Sequence, residues 1–569
     1  MKEPIIEFKD FSFRYYAQKK PTLKHIDLTI NKGEKVLIVG LSGSGKSTLG
    51  NCLNGLIPFR YEGEITGSCK IKGRETKDLS IAELSKTVGT VLQDSDGQFV
   101  GLNVGEDIAF ALENDNVPLE KMRPQVKEIA KMVDMEDYLK SSPMELSGGQ
   151  KQRVALAGVL IDEVEILLFD EPLANLDPAT GKTAIALIDD LQKKTDSTVI
   201  IIEHRLEDVL YRHVDRIILV SDGEIILDGD PDEVLASDVL RDHGIREPLY
   251  VSAAKFAGVK ITPDMHPSSI DDFSLKDEDR AKILAWAKSH METKVKDEVI
   301  LLEGRDLRFS YDGIKTIIDG ISFDVKKGEM FAIIGKNGAG KSTLSKLLVG
   351  FEREDSGTIY LENRDIKDDT IYERGKEIGI VLQNPNQMIC NTMIYDEVAY
   401  GLKNGGVKEE EIKERVEETL KICGLYEMRN WPISALSYGQ KKRVTIASIL
   451  VMRPKIIILD EPTAGQDYRH YTEIMEFLER LNDAGQTIIM ITHDMHLMLE
   501  YCDRCITIVD GKIYYEGLPS KALVDEKITE KANLKMTSLY DLAKIVDMSP
   551  DDFTQSYINA ERSMRHEKD

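Results

Sequence analysis

No apolar run in this chain is long enough to cross a bilayer: stretches such as Ile166 to Phe169 and Ile456 to Leu459 fall far short of the ~18 residues a spanning helix needs. The N-terminus leads from Met1-Lys2-Glu3-Pro4 straight into strand-like Ile5 to Phe8, with no apolar signal stretch, so the chain is expected to stay in the cytosol. Cysteine is scarce, six in 569 residues without framework spacing, which excludes a disulfide scaffold. Cys502 and Cys505 form a Cys-x-x-Cys pair; with no second pair nearby, packing at a strand start is expected rather than metal or redox chemistry. Positive charge is in deficit, 74 Lys and Arg against 99 Asp and Glu for a net charge of -25. Such a chain is repelled by phosphate backbones and anionic headgroups, so any membrane attachment has to go through a protein.

What is present is a chain written twice. Its 569 residues exceed a single core of roughly 100 to 250 residues, and internal repeats show why. Gly40-Leu-Ser-Gly-Ser-Gly-Lys-Ser-Thr48 recurs as Gly335-Lys-Asn-Gly-Ala-Gly-Lys-Ser-Thr343, and Val91-Leu92-Gln93 as Val381-Leu382-Gln383. Leu146-Ser-Gly-Gly-Gln150 returns as Leu436-Ser-Tyr-Gly-Gln440, Asp170-Glu171 as Asp460-Glu461, and His204 as His493, all at offsets of 289 to 295 residues. Beyond the motifs, Leu249-Tyr250 and Ala254-Lys255 match Leu539-Tyr540 and Ala543-Lys544, so each half carries a C-terminal appendage. The expected organisation is a first domain over 1–230, an appendage and linker over 231–297, a second domain over 298–515 and a second appendage over 516–569. Residues 231–300 hold 14 acidic and 10 basic side chains, a solvated linker that is not basic.

Glu34 to Val39 reads as a buried strand, and the pattern Leu49, Cys52, Leu53, Leu56 has helical period. The Gly-x-x-x-x-Gly-Lys-Ser motif therefore has its strand-loop-helix context. Its glycines let backbone N–H groups curl around phosphates, the lysine reaches the outer phosphates, and the serine hydroxyl ligates magnesium at the helix start. The phosphate cradle is assigned to Gly40, Ser42, Gly43, Ser44, Gly45, Lys46, Ser47 and Thr48, and in the second half to Gly335, Asn337, Gly338, Ala339, Gly340, Lys341, Ser342 and Thr343. Asp170 and Asp460 end buried strands, at the edge where open parallel sheets place ligands. They are expected to hold magnesium with Ser47 and Ser342, leaving Glu171 and Glu461 to polarise the attacking water. His204 and His493 follow apolar runs and are placed to bond the terminal phosphate. Gln93 and Gln383, also after strand-like runs, are candidates for magnesium and the attacking water.

Ser147, Gly148, Gly149 and Gln150, like Ser437, Tyr438, Gly439 and Gln440, open a helix whose N–H groups and dipole favour an anion. In this order the motifs resemble the ATP-binding cassette (ABC) family over about 500 of the 569 residues. The resemblance implies an α/β fold of two P-loop NTPase domains, each with a helical signature subdomain, pairing within the chain. ATP on one half's P-loop would be covered by the other half's signature helix. It also implies that Tyr15 and Tyr311 stack on adenine; a half-buried strand aromatic is the plainer alternative. By this geometry Tyr438, in place of a signature glycine, would stand over Lys46, and the site using Lys46, Asp170 and Glu171 is expected to be the slower one.

The segments from Gln93 to Phe99 and Val104 to Phe110, Gln383 to Gln387 and Ile394 to Tyr400, and Pro462 to Asp467 are similar to the ATPases of prokaryotic energy-coupling-factor importers, including the cobalt and nickel type. The first half has Asp94-Ser95 where that group prefers Asn-Pro, and the second is one residue short before Gln387. The likeness implies Mg2+ and ATP as cofactors and work at the cytoplasmic face of the cell membrane. It further implies a transmembrane coupling protein and a membrane substrate-binding protein for a vitamin or metal ion. Asp94, Asp96, Glu106, Asp107, Asp396 and Glu397 read as an acidic docking surface for a basic helix end. Two alternatives share parts of the pattern. A tandem sugar-importer ATPase lacks the appendages, and a soluble translation-type ABC protein would need a basic linker.

Overall fold

The computed structural model describes residues 3–92, 95–146, 148–162, 164–173, 176–291, 299–463 and 468–566. Two compact units divide the chain, Met1–Lys282 with Asp467–Arg469, and Ile283–Gln466 with His470–Asp569. Among the described residues no helix is long and apolar enough to span a membrane.

In the first unit, apolar five-residue runs form the middle of a six-stranded sheet. Its order is Glu224–Gly229, Arg216–Ser221, Lys35–Val39, Thr198–Ile202, Ile166–Asp170, Val88–Val91. All neighbours are parallel except the Arg216–Ser221/Glu224–Gly229 hairpin, and strands covered on both faces read as unbroken apolar runs. Side chains alternate between the faces. Val36, Ile38, Leu168 and Ile200 enter a core shared with Phe8, Phe13 and Leu28, which come from an antiparallel sheet of Leu23–Asn31, Pro4–Tyr15, Gly63–Ile71 and Arg74–Glu75. Leu37, Val39, Phe169 and Ile201 point the other way, into a core with Ile108, Val126, Val154 and Ile188 from helices.

The second unit repeats this plan. Ile378–Val381, Ile456–Asp460, Thr487–Ile491, Met330–Ile334, Arg504–Val509 and Lys512–Gly517 form its six-stranded sheet, and Thr316–Lys326, Ile300–Ser310, Ser356–Leu361 and Arg364–Asp365 its antiparallel one. The expected α/β architecture is present in both halves. Between the motifs each half inserts helices, Val104–Asn114, Leu119–Met132 and Gly148–Leu160 in the first and Ile394–Asn404, Glu409–Ile422 and Tyr438–Leu450 in the second.

Each appendage is helical. In the first, Leu249–Phe256 is anchored by Tyr250, whose hydroxyl donates to the Pro267 carbonyl at 2.6 Å. The division between units falls inside the helix Asp277–Ser289. From Ile283 onward that helix packs with the second appendage: Trp286 stands edge-on to Phe553 and Tyr557, and Asn559 Nδ2 donates to the His290 carbonyl at 2.7 Å. The terminal helix Pro550–His566 is tied back through Arg562, which donates to the Glu500 and Cys502 carbonyls at 3.0 and 2.9 Å. Cys502 and Cys505 are buried beside it, and burial pushes both thiols up, the setting of packing cysteines.

Candidate nucleotide site

Strand register brings the motifs of each half to one sheet edge. Ile202 pairs with Asp170 on one side and with Ile38 on the other. Gly40, Glu171 and His204 therefore leave neighbouring parallel strands at the same end, where ligands bind in open α/β sheets. Ile491 makes the equivalent pairings with Asp460 and Ile333.

At that edge the glycine loop admits no larger residue at its two closures. A Cβ on Gly40 would lie 2.2 Å from the Val220 carbonyl oxygen, and one on Gly335 would lie 2.2 Å from that of Ile508. Gly43 and Gly338 have open space around them but φ of +76° and +78°, left-handed values that turn the loop's N–H groups along one concave surface. Ser42 and Asn337 are exposed on that rim. The lysines lie beneath it: Lys46 Nζ donates to the Gly40 and Leu41 carbonyls at 2.9 Å each, and Lys341 Nζ to Gly335 and Lys336 at 2.8 and 3.0 Å. Ser44 Oγ is buried with no hydrogen-bond partner among the described residues, a donor left over for a phosphate oxygen; Ala339 occupies the matching position in the second half.

Glu171 and Glu461 sit at φ of 51° and 47°. Non-glycine residues rarely hold such a conformation unless their surroundings impose it. Here the backbone N–H groups donate to the Ile202 and Ile491 carbonyls at 2.8 and 2.9 Å, and the bend turns each carboxylate toward a histidine. His204 Nε2 is 2.7 Å from Glu171 Oε1, within hydrogen-bonding distance. His493 Nε2 stands 3.3 Å from Glu461 Oε1 without hydrogen-bond alignment, and the His493 N–H donates to Glu461 Oε2 at 3.4 Å. Sequence alone placed each histidine at a strand end; its pairing with the glutamate came from the fold. The buried residue before the first histidine was missed altogether. Glu203 is 2% exposed, and its carboxylate accepts from the Leu173, His204 and Arg205 N–H groups at 3.1, 2.8 and 3.2 Å. A buried acid with that many donors fixes the turn; a single acid before a histidine carries no motif signal.

Burial dominates the electrostatics. It pushes the Asp170 carboxyl up to about 6, with Glu171 and Glu203 adding to the rise and the Ser47 hydroxyl and Lys46 opposing it. Asp460 and Glu461 are raised for the same reason, Lys341 opposing in both cases. Sites so short of positive charge are stabilised by an incoming cation. Ser47 Oγ donates to Asp170 Oδ1 at 3.2 Å, and Ser342 bonds Asp460. One hydroxyl and one carboxylate are hard oxygen donors that suit magnesium arriving with phosphates. The described residues contain no all-protein metal cage.

Tyr15 and Tyr311 stand beside the P-loop helices, their hydroxyls 3.2 Å from Thr48 Oγ1 and 3.4 Å from Thr343 Oγ1. Each ring lies edge-on to a strand phenylalanine, Phe13 or Phe309. Ser437 caps its helix in a capping box with Gln440; Gly149 lies so close to Thr180 that a Cβ would fall 2.5 Å from its methyl carbon. Gln93 and Ser147 lie outside the described residues.

Part of the expected acidic docking surface is used inside the fold, although Glu106 and Asp396 remain exposed. Asp107 Oδ1 accepts from the Val100 and Gly101 N–H groups at 2.8 and 3.0 Å, and Glu106 Oε2 from Leu102 at 3.1 Å. Glu397 is buried and accepts from Cys390 and Asn391 at 3.0 and 2.7 Å, while Asp396 pairs with Lys403 at 3.2 Å. Glu106, Asp107 and Glu397 thus tie the loop ahead of each helix to that helix's first turn, satisfying N–H groups that belong to no strand or helix. Asp94 lies outside the described residues, and the Asp96 side chain does as well.

A doubled P-loop, each with a strand-end Asp-Glu pair and a histidine, defines a two-domain nucleotide triphosphatase. The ABC transporter family profile matches residues 23–174 and 318–464, and one described as ATP-binding cassette cobalt transporter matches 237–309. A protein described as an ABC transporter ATP-binding protein from Clostridium perfringens is 58% identical over 99% of this chain and 100% of its own. A counterpart from Streptococcus pneumoniae is 56% identical over 98% of both chains, and one from Vibrio vulnificus 53% over 99% and 98%. The chain belongs to the ABC transporter ATP-binding proteins, with two ABC domains fused, and is an ATPase.

Proposed function

We propose that this ATPase powers uptake by an energy-coupling-factor importer for a vitamin or metal ion, at the cytoplasmic face of the cell membrane. A transmembrane coupling protein and a membrane substrate-binding protein would complete it. The observation that carries this reading is the match of the cobalt-transporter profile to 237–309, which spans most of the appendage and linker and enters the second domain's first strand, in a chain whose two halves both keep lysine, aspartate, glutamate and histidine. Purifying the tagged chain from detergent-solubilised membranes tests it: co-purification of one large coupling protein with a small membrane protein supports the reading, and recovery with the paired permeases of a sugar importer refutes it.

In each half the P-loop N–H groups, with Lys46 or Lys341, bind the ATP phosphates. Magnesium, held by Ser47 and Asp170 or by Ser342 and Asp460 with Gln93 or Gln383, would supply charge neutralisation of the phosphoryl oxygens. Glu171 and Glu461 accept the proton of the attacking water. His204 meets the Glu171 carboxylate through its ring and His493 meets that of Glu461 through its backbone N–H, and both imidazoles are assigned to the terminal phosphate. The signature residues Ser147 to Gln150 and Ser437 to Gln440 offer helix N-termini to phosphate.

Docking to the membrane partner is assigned to apolar side chains beside the glutamine loops, next to the exposed acids Glu106 and Asp396. Leu102 is 85% exposed and Val100 63% in the first unit, and Trp431 is 50% exposed in the second; large apolar groups left in water mark interaction surfaces. Leu102→Asp is expected to lower recovery of the chain with membranes about ten-fold, the scale of losing an interface anchor, while ATP hydrolysis by the isolated chain stays unchanged. Equal recovery of mutant and parent would place the docking surface elsewhere.

A further inference from the structure

The second unit ties its glutamine loop to its own signature helix. The Gln383 carbonyl accepts from two side chains of the helix Tyr438–Leu450, the Tyr438 hydroxyl at 3.2 Å and the Lys442 ammonium at 2.7 Å. The same ammonium donates to the Leu382 carbonyl at 2.9 Å. Tyr438 and Lys442 are four residues apart, on one face of the helix. Lys442 is only 1% exposed, and a cation withdrawn so far from water is costly unless its donors are used; two of its three are spent on consecutive backbone carbonyls.

The first half has a different arrangement at the corresponding positions, 290 residues earlier, where Gly148 and Gln152 stand. Gly148 has no side chain, and the Gln152 amide donates to the Pro172 carbonyl. There the strand end is held from within its own loop: Gln98 accepts from the Leu92 N–H at 3.2 Å and donates to the Thr90 carbonyl at 2.9 Å. Met388 occupies the place of Gln98 in the second half and offers the Leu382 N–H only a thioether sulfur, at 3.1 Å, a weak acceptor.

We propose that Tyr438 and Lys442 are positioning residues that clamp the glutamine loop of the second domain to its signature helix and so set Gln383 for hydrolysis of the ATP held by Lys341. This rests on the reading that the Gln383 side chain meets magnesium and the attacking water. Gln383 is exposed and lies just beyond the strand Ile378–Val381, where no ladder bond restrains it. Two donors on its carbonyl confine the residue that carries the amide, so the loop and the helix move as one body in this domain.

The test uses the full chain carrying Glu171→Gln, so that remaining turnover reports the Lys341 site. In that background Tyr438→Phe with Lys442→Gln is expected to lower kcat about ten-fold, the scale for losing partners that orient a ligating group, with KM for ATP within about two-fold. Tyr438→Phe alone, at a half-exposed position that leaves packing intact, is expected to give part of that loss. Lys442→Arg keeps a charged donor of comparable reach, which glutamine does not, and is expected to restore part of it. The loss should vanish when Gln383→Ala is already present, a non-additivity that general loosening of the fold would not produce. Unchanged kcat in the Tyr438→Phe Lys442→Gln chain, or losses that add to that of Gln383→Ala, would overturn the clamp. Gln383→Ala by itself tests the reading beneath: unaltered turnover there removes the role of the glutamine and the proposal with it, whereas a loss there and none in the clamp variants refutes the clamp alone.

Discussion

With Glu171→Gln and Glu461→Gln combined, the chain is expected to bind ATP normally and to hydrolyse it at least ~100-fold more slowly, the contribution of one positioned general base. Glutamine keeps the shape of glutamate and can still meet His204 or His493, so the left-handed turns at these positions persist. What disappears is the capacity to take a proton from water. Nucleotide binding by fluorescence and phosphate release on the same preparation check the result; turnover near that of the parent would remove both glutamates from the mechanism.

Loss of both P-loop lysines acts one step earlier. Lys46→Ala with Lys341→Ala is expected to weaken ATP binding by ~100-fold, because each lysine supplies a charged donor to phosphate, worth about 1.5–3 kcal/mol. The substitution has a structural side as well. Each ammonium bridges two consecutive loop carbonyls, Gly40 with Leu41 and Gly335 with Lys336, so the loop loses an internal tie in addition to its charge. Titration calorimetry of the double variant, with a melting curve to show that both units remain folded, separates the two effects. Affinity within two-fold of the parent would show that the backbone N–H groups alone hold the phosphates.

Comparison of the two halves shows where motif reading ends. The halves share their motif order, yet Glu203 is matched by Thr492, Ser44 by Ala339, Gln98 by Met388 and Gln152 by Lys442. None of these is a fixed motif residue, Ser44 and Ala339 standing at a variable place inside the P-loop, and each is bonded or buried at the site. Glu203 holds three N–H groups, where Thr492 accepts a single one, from Asp494 at 2.9 Å. The two sites are therefore built with different internal supports although their outer residues read alike. Tyr438 is instructive: as a departure from the signature glycine it was legible, but its hydroxyl bond to the Gln383 carbonyl was not, since the two residues are 55 apart in the chain.

By itself the sequence determined the class of protein and the duplication, and it marked out the residues proposed for the phosphate cradle. Those features are local: glycines at set offsets bend a loop, apolar runs make buried strands, and an acid pair after such a run lies at a sheet edge whatever surrounds it. Tertiary structure alone decided which of these groups meet. Parallel register sets Glu171 against His204, loop N–H groups claim the carboxylates of Asp107 and Glu397, and helix packing delivers Lys442 to the glutamine loop. A side chain's pattern announces its chemistry, but its partner is fixed by distances between segments far apart in the chain, and those distances exist only once the sheet is closed and its helices are packed.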